Sequence, residues 1–330
     1  MTKRNPLFSF SSLAFLLLNN FSYAQAKEGE FDIATVPMRT YAQSPYQSTS
    51  LTTQLRSAHT PDYNEAFVTG SMASVWAKGD PFFLDYYQNQ VMSGVNFRIN
   101  DKWSAEVQLQ YTWAADNQLD TLTMEFHDFF GLGQNGREEV DKHSFTIESE
   151  EDGIYVNDFE GEEMGRAIHG YLQYQVWEQD THAVAVGGTL YYQQLDSGIF
   201  EQTSFEQGLQ VNYSYLNHDH SAFATLGVNR FDDSNKVLNT FDAREYSFAL
   251  ALGYGYRIQK NHEILLQYHG FQGILEDDEG DFSEASNEVV IGYRYYMERS
   301  LFEFSSTENI QNMDNSTDIA FTFGYRHFFE

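Results

Sequence analysis

Between Trp103 and Ala114 the chain reads W-S-A-E-V-Q-L-Q-Y-T-W-A and alternates without a break. Trp103, Ala105, Val107, Leu109, Tyr111 and Trp113 share one parity, and Ser104, Glu106, Gln108, Gln110 and Thr112 the other. Successive side chains of a β-strand point to opposite faces, so this is a strand with one apolar and one wet face. A ring at each end of the apolar face suits a strand that crosses a bilayer, with aromatics at the two interfaces. The pattern returns many times between about residue 64 and the C-terminus. That repetition predicts an all-β fold, a transmembrane antiparallel β-barrel of the outer-membrane kind.

Strands are expected at 64–77, 84–99, 103–115, 165–178, 182–194, 205–217, 220–231, 245–258, 262–273, 285–298, 301–308 and 316–329. This makes about 12, an even number, as single-chain bacterial barrels have. The connectors support that count. Asn100-Asp101-Lys102, Glu178-Gln179-Asp180, Asn217-His218-Asp219, Gln259-Lys260-Asn261 and Glu298-Arg299-Ser300 are short polar turns. They alternate with longer acidic connectors at 116–164, 195–204, 232–244, 274–284 and 309–315. Short periplasmic turns alternating with longer outer loops characterise such barrels. The last strand, with Ile319, Phe321, Phe323, Tyr325 and Phe329 on one parity, resembles the terminal targeting strand of outer-membrane proteins. It therefore implies barrel assembly machinery as a partner during insertion. The first strand is ambiguous in parity.

The N-terminal residues read as a secretory leader. Lys3 and Arg4 precede an apolar run from Leu7 to Leu18, and Ala24-Gln25-Ala26 is a small-x-small cleavage site. The expected division is therefore signal peptide 1–26, a polar periplasmic arm 27–63 and the barrel 64–330. Losing the two cations of the leader moves the formal charge from -29 to -31. That acid excess excludes nucleic acid, since nothing would neutralise phosphates. It suits contact with outer-membrane lipid and lipopolysaccharide, whose phosphates divalent cations can bridge. The chain has no Cys, which excludes a lipid-anchored or disulfide-built protein. Aromatics make up 16% of residues while hydrophobics total only 42%, as expected when every second residue faces lipid. The location implied is the outer membrane of a Gram-negative bacterium.

Assigning the apolar parity to lipid leaves a lumen rich in Gly, Ala, Gln and Tyr. Arg98, Arg257, Arg294 and Arg326 fall on inward positions toward the periplasmic end, with Glu106, Glu263 and Glu303 on the adjacent strands at comparable height. Arg257 and Glu263 are symmetric about a turn at Lys260, so they should be cross-strand neighbours. These residues predict a belt of alternating Arg and Glu. Such a belt would either filter solutes by charge, as rings of charge do in pores, or fill and stiffen a narrow bore.

The third connector holds Glu125-Phe126-His127-Asp128-Phe129-Phe130-Gly131-Leu132 and then Gly136-Arg137. Bulky aromatics in a loop imply that part of it folds back on or into the barrel. These residues resemble an uncharacterised family of Gram-negative exported proteins, a domain of unknown function whose hallmark is F-H-D-x-F-G-L followed by G-R. Asp101-Lys102-Trp103 is similar to that family's G-D-x-W turn, with Asn100 in place of Gly. The resemblance implies an outer-membrane barrel and no reaction. It marks Phe126, His127, Asp128, Gly131 and Arg137 as a candidate inward loop motif. His127 and Asp128 lack a nucleophile in a recognisable context: Ser144 adjoins His143, and a strand would put those two on opposite faces. His218-Asp219-His220 and Asp277-Asp278-Glu279-Gly280-Asp281 read as solvated turn and loop rather than metal sites. No catalytic residue, metal or cofactor is assigned. The expected function is a narrow passive or selective channel for small solutes. The alternatives are a non-transporting structural or surface barrel and, behind it, a membrane-embedded lipid hydrolase.

Overall fold

A computed structural model of the chain describes residues 33–44, 47–78, 82–119, 143–150, 153–232, 236–237, 241–275, 283–311 and 317–330. The expected leader, Phe126 to Leu132, Arg137 and Asp277 to Asp281 lie outside the described residues. The chain divides into a unit ending at Ile33 and a unit running from Ala34 to Glu330, and the second is the barrel.

Its strands are β1 (Asn64–Lys78), β2 (Phe82–Arg98), β3 (Trp103–Ala114), β4 (Thr146–Ser149), β5 (Ile154–Asn157), β6 (Glu163–Gln179), β7 (His182–Leu195), β8 (Gln202–Asn217) and β9 (His220–Arg230). After the short β10 (Lys236–Val237) and β11 (Phe241–Asp242) come β12 (Tyr246–Gln259), β13 (His262–Phe271), β14 (Ser286–Tyr296), β15 (Ser300–Asn309) and β16 (Thr317–Phe329). Twelve of them form an antiparallel ring in which β1 pairs with both β2 and β16, so the sheet has no open edge there. Closure is what lets strands cross lipid, because each backbone group needs a partner within the protein. β4 and β5 continue the sheet beyond the end of β3, with Phe82 to Asp85 of β2 pairing Ser149 to Thr146. Part of the long third connector thus does return to the wall. Around it Val75, Leu84, Tyr86, Tyr87, Ile147 and Phe159 form an apolar cluster at the long-loop end.

The expected alternation holds on β3, where Ser104, Glu106, Gln108, Gln110 and Thr112 are buried and Trp103, Val107 and Tyr111 exposed. The inside of this molecule is therefore its polar side. β1 resisted a parity assignment because its outward residues are the small or weakly patterned Ala66, Val68, Gly70 and Met72, while Phe67 turns inward. At the short-turn end His182, His220 and His262 each begin a strand. Their Nδ1 atoms hydrogen-bond Tyr213 (2.8 Å), Tyr254 (2.7 Å) and Tyr293 (2.5 Å) on the next strand. Their rings also pack on Tyr215, Tyr256 and Tyr295. These pairs form an aromatic girdle at one rim of the apolar outer face, where an interface belongs.

Leu209, at mid-length of β8, is 68% exposed on that outer face. In a water-soluble barrel Leu209→Arg would be nearly neutral. In a lipid-facing one it should cost about 2–4 kcal/mol at the bilayer midplane. Urea-titrated refolding into vesicles, read by the gel mobility shift of the folded barrel, checks this.

Candidate functional site

The bore is filled by the chain's own segment, residues 34–44 and 47–60, part of the expected periplasmic arm 27–63, for which the sequence leaves open whether it enters the lumen. Thr35 Oγ1 donates to Glu263 (2.9 Å), and the Val36 and Pro37 carbonyls accept from Arg294 (2.8 Å) and Arg326 (2.7 Å) near the short-turn end. The segment then climbs. Gln43 and Ser44 give their backbone N–H groups to Glu288 (2.9 and 3.1 Å), close to the long-loop start of β14. A single turn of 3-10 helix at Gln47–Thr49 reverses it. The Tyr41 hydroxyl bonds the Ser50 carbonyl and so ties the rising limb to the returning one. The descending limb ends with Thr60 on Gln175 (2.8 Å) and His59 on Glu178 (3.1 Å), back at the short turns. Polarity explains the placement: side chains facing a narrow lumen need partners, and a polar segment supplies them.

Two charge clusters result. The ion pairs of the first lie wholly in the wall. Arg294, fully buried, bonds Glu263 (2.8 Å) on one side and Glu303 (2.9 Å) on the other, and Arg326 bonds Glu303 (2.8 Å). Register sets this up, because Glu263 pairs Arg294 and Arg294 pairs Glu303 across the ladder. Arg257 pairs Glu263 in register as the turn symmetry requires. Its side chain, however, reaches Thr35 (3.3 Å) and lies over the Tyr296 ring (4.4 Å). With two guanidiniums and two carboxylates the wall cluster is self-neutralising.

The second cluster joins wall to segment. Glu106 receives Arg39 (2.6 Å) and Arg56 (2.8 Å), one from each limb, and Arg39 also binds Glu65 (2.7 Å). Each arginine lies over a wall ring, Arg39 on Phe67 (3.7 Å) and Arg56 on Tyr171 (4.0 Å). Sequence reasoning missed Arg39, Arg56 and Glu65, since it considered only wall residues of settled parity.

Two belt residues behave differently from expectation. Arg98 is outside the belt: as the last residue of β2 it lies at the rim, partly exposed, bonded to Asp101 (2.6 Å). Parity fixes a face but not a depth. Glu106 is in the bore, but its partners come from the segment and not from wall arginines. Elsewhere, His143 pairs with Asp116 (2.9 Å), and no group of three acidic or imidazole side chains among the described residues could hold a metal ion.

Among solved structures the chain is similar to an outer-membrane channel from Pseudomonas putida F1, at 10% identity over 82% of this chain and 96% of that one, with TM-score 0.49. It is similar to the NanC porin at 10% identity, covering 80% of this chain and 100% of that one, with TM-score 0.46. The β domain of the Bordetella autotransporter BrkA gives 14% identity, 81% and 100% coverage and TM-score 0.46. No curated protein matches the chain in sequence. The family described as protein of unknown function DUF3187 matches residues 13–329, nearly the whole length, and the chain belongs to that family.

Proposed function

We propose that this barrel is a channel for small solutes in the outer membrane of a Gram-negative bacterium, exported by a leader ending near Ala26. Residues 34–60 close it, and it opens when they leave the bore. The observation that carries this reading is the independence of wall and segment. The ring closes through ladders between barrel strands, and no described residue of 34–60 belongs to a strand. The segment can therefore move without breaking a barrel ladder. What it would leave behind is a bore lined by Gln, Asn, Ser, Thr and Glu, which water wets readily.

The two charge clusters then divide the work. The Arg294–Glu303–Arg326 cluster persists in an open bore, because its ion-pair partners are all in the wall and only the bonds to Thr35, Val36 and Pro37 are lost. Glu106 loses both its arginines and becomes an unpaired acid in the passage, favouring cations. The wall cluster also supports a second reading, a rigid barrel that conducts nothing, and conductance separates the two. The acidic connectors on the opposite rim suit lipopolysaccharide bridged by divalent cations.

Planar-bilayer recording tests the gate. Because the chain has no Cys, a single pair can be introduced. A Cβ built on Gly227 lies 3.0 Å from Thr53 Cβ, about half an ångström under the shortest usual disulfide spacing. The Thr53→Cys, Gly227→Cys double variant should stay closed when oxidised and open at least as often as the wild type when reduced. Absence of current from the wild type, and from a variant lacking 34–60, would refute a channel. Glu106→Gln should reduce cation preference in the open state. Glu303→Gln should leave selectivity unchanged but cost about 3–5 kcal/mol in refolding stability, since it strips two buried guanidiniums of their shared partner.

A further inference from the structure

The descending limb, Leu51 to Thr60, is held by its main chain. Backbone N–H groups of Leu51, Arg56, Ala58 and Thr60 donate to Glu206 (2.6 Å), Thr225 (3.3 Å), Ser214 (2.8 Å) and Gln175 (2.8 Å). The carbonyls of Gln54 and Ser57 accept from Gln210 (3.3 Å) and Gln173 (3.0 Å). All six wall residues are buried, and the contacts follow the limb from Glu206 on β8 to Gln175 near the short-turn end of β6. A wall that only needed filling would be served by apolar side chains or by side-chain pairs. One that aims side chains at successive amides and carbonyls meets groups that every polypeptide carries.

The side chains of this limb add a second regularity. Leu51, Thr53 and Leu55 alternate in sequence, so in an extended chain they share a side. Each fills the space left by a missing Cβ on successive wall strands. A Cβ on Gly208 would come 3.3 Å from Leu51, one on Gly253 would come 2.6 Å from Leu55, and one on Gly227 would collide with Thr53. Main-chain hydrogen bonding combined with seats for alternate side chains is one of the ways in which proteins recognise extended peptides.

We infer that the wall of β6, β8, β9 and β12 is a binding groove for an extended peptide. The channel's solutes are then short peptides with small or branched aliphatic side chains at alternate positions, and residues 51–60 are the tethered occupant they replace. This rests on the reading that residues 34–60 can leave the bore.

The test uses the full chain with a protease site placed at Pro61-Asp62, folded intact and cleaved afterwards. A dye-labelled synthetic peptide of residues 50–60 should bind the emptied barrel, measured by anisotropy. Alanine at positions 52 and 54 should change its affinity by less than about threefold, while N-methylation at Arg56 and Ala58 should weaken it about tenfold or more, two main-chain bonds being lost. If the segment departs and current flows but no peptide binds, or the N-methylated peptide binds equally well, the groove is refuted and the gate stands. If the segment stays and no current appears after cleavage, the gate itself falls, and the groove with it. A second variant needs no cleavage. Gly227→Val in the full chain should raise the open fraction and abolish block by the 50–60 peptide. Adding Thr53→Gly should restore closure; if it does not, the seat at Gly227 is not what holds the limb.

Discussion

Glu65, Glu106, Glu206, Glu263, Glu288 and Glu303 all turn from the wall into the bore and are buried there. A carboxylate in a narrow, poorly hydrated space is tolerated only with cations or hydrogen-bond donors around it. The wall itself answers for Glu263 and Glu303 through Arg294 and Arg326. Glu106 takes its two arginines from the segment, and Glu206 and Glu288 take backbone N–H groups from it. Closure of the strands makes the barrel. The acids of its lumen decide what suits it as an occupant.

The strand order was legible because lipid and lumen impose a period of two on every strand, and each short turn at one rim marks a reversal. Strand starts moved by at most a few residues, as at β8, which begins at Gln202 rather than 205. The wall cluster was legible for the same reason: cross-strand position follows once parity and turn are known, as with Arg257 and Glu263. Arg98 was misplaced because position along a strand translates into depth only when the strand end is fixed. The segment in the bore left little trace in its own sequence, since its main chain makes many of its contacts and main chain has no composition. Its trace lies in the wall instead. Gly208, Gly227 and Gly253 sit at inward positions of strands that otherwise carry side chains, and polar Gln, Asn and Ser residues recur around them.

Occupancy of the bore by a polar segment also sets how firmly it is held. Each neutral hydrogen bond between wall and segment replaces one that water could make, so its net worth is only about 0.5–1.5 kcal/mol, and one to a charged group such as Glu106 is worth about 1.5–3 kcal/mol. Ordering the segment opposes this by about 1–2 kcal/mol for each backbone residue fixed. These two contributions are of similar size. What tips the balance toward closure is covalent: Pro61, Asp62 and Tyr63 link the descending limb directly to β1. A ligand tethered this closely sees its site at an effective concentration on the order of millimolar. The segment can therefore be weakly bound, residue by residue, and still keep the bore shut. A free occupant has to reach comparable local concentration, or bind the same groove better, before it can take the segment's place. The proposed gate would respond to what is present at the rim without any barrel strand having to move.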